Sequence, residues 1–375
     1  MRPSVQEALS TFAEPFLSRH KASNAQVRTL NHIISCKTSA LGGHVDICPE
    51  CGKITYHFNS CRDRHCPLCQ SYKQFKWVED QASYMLDIGY YHMVFTLPSE
   101  LNPLFYSNQK EAYSLLFKCS WETLKTFSSD KKYLGAEVGA TAILHTWGRT
   151  LQYHPHIHMI VTAGGLKNNT TWRKCGKNFF APVKAMSKVF KAKIVKGLRN
   201  LLKKDKLVLG DSDLKAIDEL LNQAYQKDWV VYAKAPFKDA GCLLKYLGQY
   251  TSRVAISDSR IKAIDSESVT FSYRDVRDNK LKNMTLEGAE FVRRFLMHIV
   301  PSGFTRIRHY GLLSSRGKRE RMSLCKRLTN TRSRIKNIAN TSASQAVEYR
   351  HSPKLCPACN CELITFEIKA GRLRC

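Results

Sequence analysis

The sequence predicts an α+β protein that carries a zinc ribbon near its N-terminus and a basic tail at its C-terminus. Three observations point there. Stretches with the period-two alternation of strands are interleaved with amphipathic helical stretches through the middle of the 375 residues. Six of the 14 cysteines stand in Cys-x-x-Cys pairs, which in a reducing compartment read as zinc ligands rather than disulfides. Lys and Arg (59) outnumber Asp and Glu (31), a formal net charge of +28 that is densest after Arg306. A field of that sign calls for a polyanionic partner, nucleic acid first and an anionic membrane second. No apolar run approaches bilayer-spanning length, and Met1–Ala8 shows no signal-peptide pattern. The expectation is an intracellular, cytoplasmic protein with DNA rather than a membrane as its partner.

The elements follow in order. Residues 1–40 read as helix, with Val5, Leu9, Phe12, Phe16 and Leu17 at helical spacing and Val27, Leu30, Ile33 and Ile34 repeating it, until Leu41-Gly42-Gly43 ends the segment. Cys48 and Cys51, then Cys66 and Cys69, form two knuckles 14 residues apart, near the ribbon spacing of about 15–20. Each Cys-Pro-x-Cys turn aims two thiolates at one tetrahedral Zn2+. Cys61 and His65 are alternative ligands or supports of that site, and Lys53, Arg62 and Arg64 suit the ribbon to DNA. Cys36, Cys119, Cys175, Cys242 and Cys325 read as small buried hydrophobes.

Helices are expected at 72–86, 109–128, 182–204, 211–226, 242–255 and 287–298, and strands at 90–98, 139–147, 153–162, 229–233, 269–274 and 280–286. Gly164-Gly165 is expected to close the strand before it. The basic run Arg306, Arg308, Arg316, Lys318, Arg319, Arg321, Lys326, Arg327, Arg332, Arg334 and Lys336 is the candidate phosphate-contact segment. Cys356, Cys359, Cys361 and Cys375 near the C-terminus are a candidate second zinc set, although the second half of that knuckle pair is missing.

Chemistry centres on Tyr153-His154-Pro155-His156-Ile157-His158, followed by an apolar run. Strand alternation puts His154, His156 and His158 on one face, and imidazole is the commonest transition-metal ligand. If residues 139–147 turn through Gly148-Arg149-Thr150 into that strand, His145 falls opposite His156 as a third ligand, with His154 as its rival. Tyr246 and Tyr250 lie four apart on one expected helix face. A divalent cation on the histidines would set a DNA phosphate against a tyrosine hydroxyl, giving a 5′-phosphotyrosine and a free 3′-hydroxyl. Rejoining then needs no nucleotide, in keeping with the absence of a Gly-x-x-x-x-Gly-Lys phosphate loop.

At this point the sequence resembles the rolling-circle transposases of the insertion-sequence ninety-one type, within the His-hydrophobic-His (HUH) endonuclease superfamily. Cys48-x-x-Cys51-Gly52 with Ser60-Cys61-Arg62-x-Arg64-His65-Cys66-Pro67-x-Cys69 is similar to the family's zinc-binding domain. Val94-Phe95-Thr96-Leu97-Pro98 resembles the first motif of rolling-circle initiators, and His145 to Arg149 with His154 to His158 resembles the HUH region. Tyr246-Leu247-Gly248-Gln249-Tyr250-Thr251-Ser252-Arg253 resembles the two-tyrosine motif, and Arg293 to Phe304 with Arg306 to Gly311 the segment that follows it.

The resemblance implies an HUH core, an antiparallel sheet backed by helices with the metal on a central strand. It implies cleavage of single-stranded DNA at the ends of a bacterial insertion sequence, strand transfer to a target, catalytic Mg2+ or Mn2+, and a nucleoid-associated protein. His156 and His158 become ligands and Tyr246 and Tyr250 nucleophiles, with Gln249 competing with His145 for the third ligand position. Arg253, Arg306, Arg308, Arg316, Lys318 and Arg319 become candidate DNA contacts. The domains are drawn at 1–75 (helices and ribbon), 76–310 (catalytic, with a helical insertion at about 182–226) and 311–375 (basic tail). The alternatives are a replication initiator or relaxase with the same chemistry, a zinc hydrolase of small molecules, and a non-enzymatic zinc-ribbon DNA-binding protein.

Overall fold

A computed structural model of the chain describes residues 2–69, 80–176, 181–210, 213–237, 254–331 and 355–370. Most of the helix expected at 72–86 and nearly all of that at 242–255, with Tyr246, Gln249, Tyr250 and Arg253, lie outside the described residues. So do Arg332, Arg334, Lys336 and Cys375.

Helix α1 (Val5–Leu17) starts at a reciprocal capping box: Glu7 N donates to Ser4 Oγ (3.1 Å) and Ser4 N to Glu7 Oε2 (3.3 Å). Val5, Leu9, Phe12 and Phe16 then bury as one stripe. Helix α2 (Asn24–Ile34) repeats the device with Ser23 and Gln26 and buries Leu30 and Ile33. Strands β1 (Gly43–Ile47) and β2 (Ile54–Phe58) form a hairpin across the first knuckle. Next come β3 (Tyr90–Thr96), α3 (Gln109–Ser129), β4 (Glu137–Trp147), β5 (Tyr153–Lys167) and β6 (Thr171–Lys174). Helices α4 (Val183–Lys203) and α5 (Leu214–Gln226) lead to β7 (Val231–Phe237). The chain continues through β8 (Ile261–Ile264), β9 (Ser268–Arg274), β10 (Leu281–Glu287), α6 (Gly288–Leu296), β11 (Ile307–Gly311), α7 (Lys318–Leu328) and β12 (Ile364–Ile368). No helix among the described residues is long and apolar enough to cross a membrane.

These elements sort into two units, and each draws on separated parts of the chain. The first holds α1, α2, the sheet β12-β1-β2, the sheet β10-β9-β8 and α6. Here α1 packs on α6, and Gly288 is required at the contact: a Cβ there would sit 2.0 Å from the Phe12 ring. Strand β1 is the middle strand of its sheet, with Val45 opposite both Tyr56 and Phe366. On its other face buried Asp46 accepts from Thr365 Oγ1 (2.6 Å) and pairs with His57 Nε2 (3.2 Å), which ties all three strands together.

The second unit is built on an antiparallel six-stranded sheet, β11-β4-β5-β3-β7 with β6 attached to β5. Helix α3 packs on β4 and β5, and α4 packs on α3 and β7. The mixed α+β class and antiparallel sheets agree with the sequence reading. Two expectations differ. Strand β5 does not close at Gly164-Gly165 but runs on to Lys167. The bare Cα of Gly165 admits the β4 backbone, since a Cβ would lie 2.3 Å from the Glu137 carbonyl oxygen.

The C-terminal stretch expected as one basic tail is divided. In the second unit, α7 buries Met322 and Cys325 against Leu86, Leu166 and Leu312. In the first, β12 pairs with β1. The amphipathic spacing of α7 and the register of β12 give each segment a surface to bury, which net charge alone conceals.

Candidate metal centre

Strand β5 is central, between β4 and β3. Across β4, His156 stands opposite His145 and His158 opposite Ile143; across β3 their partners are Thr96 and Val94. The hairpin therefore has the register that its turn residues suggested. Ile157 pairs with Phe95, whose ring meets Phe190 of α4 edge-on at 5.1 Å, so that side of the sheet is covered by helix. Neighbouring strand residues point to opposite faces, which puts His156 and His158 on the other side.

The His154 ring lies beside that of His156, with centroids 5.1 Å apart, but His154 is not one of the three residues whose ligand atoms gather. The register shifts between the His145–His156 and Trp147–Tyr153 pairs, so β5 takes three steps where β4 takes two. Such a bulge offsets the pairing of the two strands beyond His156. The His154 carbonyl oxygen accepts from His156 Nδ1 (2.7 Å).

The ligand atoms of His145, His156 and His158 all lie within 4.8 Å of one another. His156 Nε2 and His158 Nε2 are 3.0 Å apart. Adjacent ligands of an octahedral cation with bonds of about 2.1 Å would be separated by about 3 Å, so the pair fits a divalent ion. Because a carbonyl only accepts, His156 must carry its proton on Nδ1, leaving the Nε2 lone pair for a metal. His145 is buried and stacks on Trp147, with centroids 4.7 Å apart.

His92 on β3 is a residue the sequence reading placed in a strand without a role. Its Nε2 lies 2.8 Å from Nδ1 of His158, and the two rings stack. Burial, then the Lys234 charge, lowers its pKa to about 4, so it is neutral at pH 7. The missed signal was a diagonal: His92 pairs with Ile160, two residues beyond His158, within reach of a long side chain.

The cysteines are regrouped. Cys66 and Cys69 do not share a site with Cys48 and Cys51. They cluster with Cys61 and with Cys36, which sequence alone had read as a core residue. Cys69 Sγ lies 3.5 Å from Cys36 Sγ and 3.6 Å from Cys61 Sγ, close to the roughly 3.8 Å edge of a tetrahedron with 2.3 Å zinc–sulfur bonds. The Cys61 thiol is lowered to about 5, chiefly by the hydrogen bond with Cys66, while burial raises Cys36 to about 12. Cys36 was missed because it stands outside any Cys-x-x-Cys pair, at the end of α2. His65 is buried but is not one of this four-residue group. Cys48 and Cys51 gather with Cys356 and Cys359, and Cys361 lies beside Cys359 at 3.5 Å.

The candidate DNA contacts divide. Arg308 lays its guanidinium over Phe117 (4.4 Å) and Phe304 (5.2 Å), and Lys318 sits over Tyr84 (3.8 Å). Both are engaged within the fold. Arg306 is half-buried, its carbonyl accepting from Leu144 N (2.9 Å), whereas Arg316 and Arg319 are exposed.

A family model described as a putative transposase matches residues 139–321, and one described as a transposase zinc-binding domain matches residues 8–97. A putative transposase of Sinorhizobium fredii is 39% identical over 388 residues, covering 98% of this chain and 96% of that protein. The transposase for insertion sequence element IS801 of Pseudomonas savastanoi pv. phaseolicola is 30% identical over 297 residues, covering 78% and 71%. No solved structure matches the chain. The zinc-binding domain and the cysteine clusters together support structural Zn2+. The chain belongs to the insertion-sequence ninety-one family of transposases and carries that family's N-terminal zinc-binding domain.

Proposed function

We propose that this transposase cuts and rejoins single-stranded DNA at its element's ends by tyrosine transesterification, with His156, His158 and His145 holding Mg2+ or Mn2+. The observation that carries the reading is the convergence of three imidazoles from two paired strands, two of their nitrogens at a ligand-to-ligand spacing. His145 is preferred over His154 because its ligand atom lies within 4.8 Å of those of His156 and His158; Gln249 lies outside the described residues.

When bound, the cation supplies Lewis-acid stabilisation of the charge that grows on phosphoryl oxygens during an in-line displacement. The His154 carbonyl holds the His156 ring, and His92 holds that of His158, so both Nε2 atoms face one point. Tyr246 or Tyr250 supplies the nucleophile, an assignment that rests on the two-tyrosine motif. The phenolic oxygen bonds to phosphorus and its proton passes to solvent, while the P–O3′ bond breaks and the 3′ oxygen takes a proton from solvent to leave as a hydroxyl. The phosphotyrosine ester keeps the bond energy, so a 3′-hydroxyl rejoins the strand by the reverse displacement. Exposed Arg316 and Arg319 suit a DNA backbone.

The test is incubation with labelled single-stranded DNA carrying an element end, with and without Mn2+. An SDS-resistant, protease-sensitive adduct is expected, lost in the Tyr246→Phe/Tyr250→Phe double variant and in His156→Ala. An adduct that persists in either variant sinks the mechanism.

A further inference from the structure

Strand β1 runs directly into Cys48, and its last residue, Ile47, pairs with Ile54 on one side and with Ile364 on the other. The first knuckle and the segment preceding β12 therefore meet at the same end of one sheet. There Cys48 Sγ lies 3.3 Å from Cys359 Sγ, and Cys51 Sγ lies 3.6 Å from Cys356 Sγ.

The two knuckles are built alike. In the first, Cys48 N donates to Lys53 O (2.9 Å) and Gly52 N to Cys48 O (3.0 Å). In the second, Cys356 N donates to Cys361 O (2.8 Å) and Asn360 N to Cys356 O (2.8 Å). Gly52 (φ 68°) and Asn360 (φ 62°) occupy the same left-handed position, one residue past the second cysteine. Glycine and asparagine are the residues that tolerate it. Both follow a Cys-Pro-x-Cys sequence. Each turn aims two sulfurs at the other, and the four form a group separate from Cys36, Cys61, Cys66 and Cys69.

We propose that Cys48, Cys51, Cys356 and Cys359 bind one structural Zn2+, so that the C-terminal knuckle completes the N-terminal ribbon and the chain carries two zinc ions. Four soft thiolates in a tetrahedron close the coordination shell, which is the donor set of a structural rather than a catalytic zinc. Cys361 holds the place of Lys53 in the first turn, its carbonyl accepting from Cys356 N, and its sulfur, 3.5 Å from Cys359 Sγ, is not one of the four that gather, so the proposal leaves it out of the ligand set. The assignment is independent of the histidine site and of the transposition chemistry.

The experiment is zinc content per chain, by mass spectrometry of the purified full chain without DNA. The expected value is two. Cys48→Ser/Cys51→Ser and Cys356→Ser/Cys359→Ser should each hold one zinc, and the quadruple variant should also hold one, because the pairs serve a single ion. Cys361→Ser should keep two. A wild-type value of one, or a quadruple variant that loses twice what each pair loses while folded, overturns the proposal. So does loss of a zinc from Cys361→Ser.

If the serine variants fail to fold, Cys359→His decides. It should retain two metals, and Co2+ substitution should show one site moved from four sulfurs to three sulfurs and one nitrogen. An unchanged Co2+ spectrum overturns the assignment.

Discussion

The histidine hairpin and the cysteine clasp both gather metal-ligating side chains, but by opposite routes. His145 and His156 are 11 positions apart and meet through one turn, and His158 follows two residues later. Cys48 and Cys359 are separated by 311 positions, and Cys51 and Cys356 by 305. Loop-closure entropy grows only logarithmically, so bringing the distant pair together costs about 3 kcal/mol more than closing the hairpin. The larger difference lies in what holds each site. The hairpin is fixed by backbone ladders on both sides of β5, whereas the clasp sits at the end of a sheet whose apolar face is largely exposed. Tyr56, Ile54, Phe366 and Ile364 are each at least half exposed. A local constellation can be preorganised without its ion; a long-range one on a thin sheet depends on it.

Metal removal is the strongest way to break that contrast. Structural zinc contributes about 10–16 kcal/mol of apparent binding energy in small zinc domains. Chelation should therefore abolish hydrogen-exchange protection at residues 43–58 and 364–368 while leaving 139–162 protected. Equal loss in both regions would show that the two sites do not differ in kind.

Next in size, His156→Ala or His158→Ala should lower adduct formation about 10³-fold or more, equivalent to losing several kcal/mol of charge stabilisation. Melting should be nearly unchanged, because the backbone ladder survives. A variant that melts far lower would mean that the imidazoles hold the sheet rather than an ion.

A smaller effect sharpens the same point. His92→Phe removes the partner of His158 Nδ1 and should weaken Mn2+ affinity about 10–100-fold, with activity recovered at saturating Mn2+. Activity that stays low at every Mn2+ concentration would assign His92 another role.

The smallest effect is in the pH profile. Burial first, then the Lys318 charge, lowers His309 to about 4, below its unfolded value of about 6.5. The unfolded chain thus takes up this proton first, so the stabilisation is complete above about pH 6.5 and is lost as pH falls towards 4. Thermal melts of the wild type should decline through that window, and those of His309→Gln should decline less. Parallel curves would remove His309 from the account.

Much of the architecture is legible in the sequence. Helical periodicity located α1 to α6 closely, whereas the capping boxes at Ser4 and Ser23 that start the first two helices were not read from the sequence. Alternation and turn residues located β3, β4 and β5, and with them the register that puts His145 opposite His156. What misled was local regularity taken too far. Alternation put His154 level with His156 and His158, although its ring lies beside His156 without entering the group of three, and it passed over His92, which reaches His158 diagonally from a neighbouring strand. A cysteine without a nearby partner, Cys36, looked like core. Positive charge after Arg306 looked like a tail, although Arg308 and Lys318 lie over aromatic rings and α7 buries its own apolar residues.

By itself the sequence determined the local structure: which segments are helix or strand, which turn joins them, and which ligand-type side chains stand within a few residues of each other. Those follow from backbone sterics and side-chain periods, which act over a handful of residues. Tertiary structure alone decided which knuckle faces which. The match between Cys48-x-x-Cys51 and Cys66-x-x-Cys69 was the economical guess by spacing, but thiols carry no address beyond their own turn. The pairing of β12 with β1 brings Cys356 and Cys359 to the first knuckle, and α2 delivers Cys36 to the second. Strand pairing between residues some 300 positions apart is set by the whole set of buried faces, and no stretch of sequence contains it.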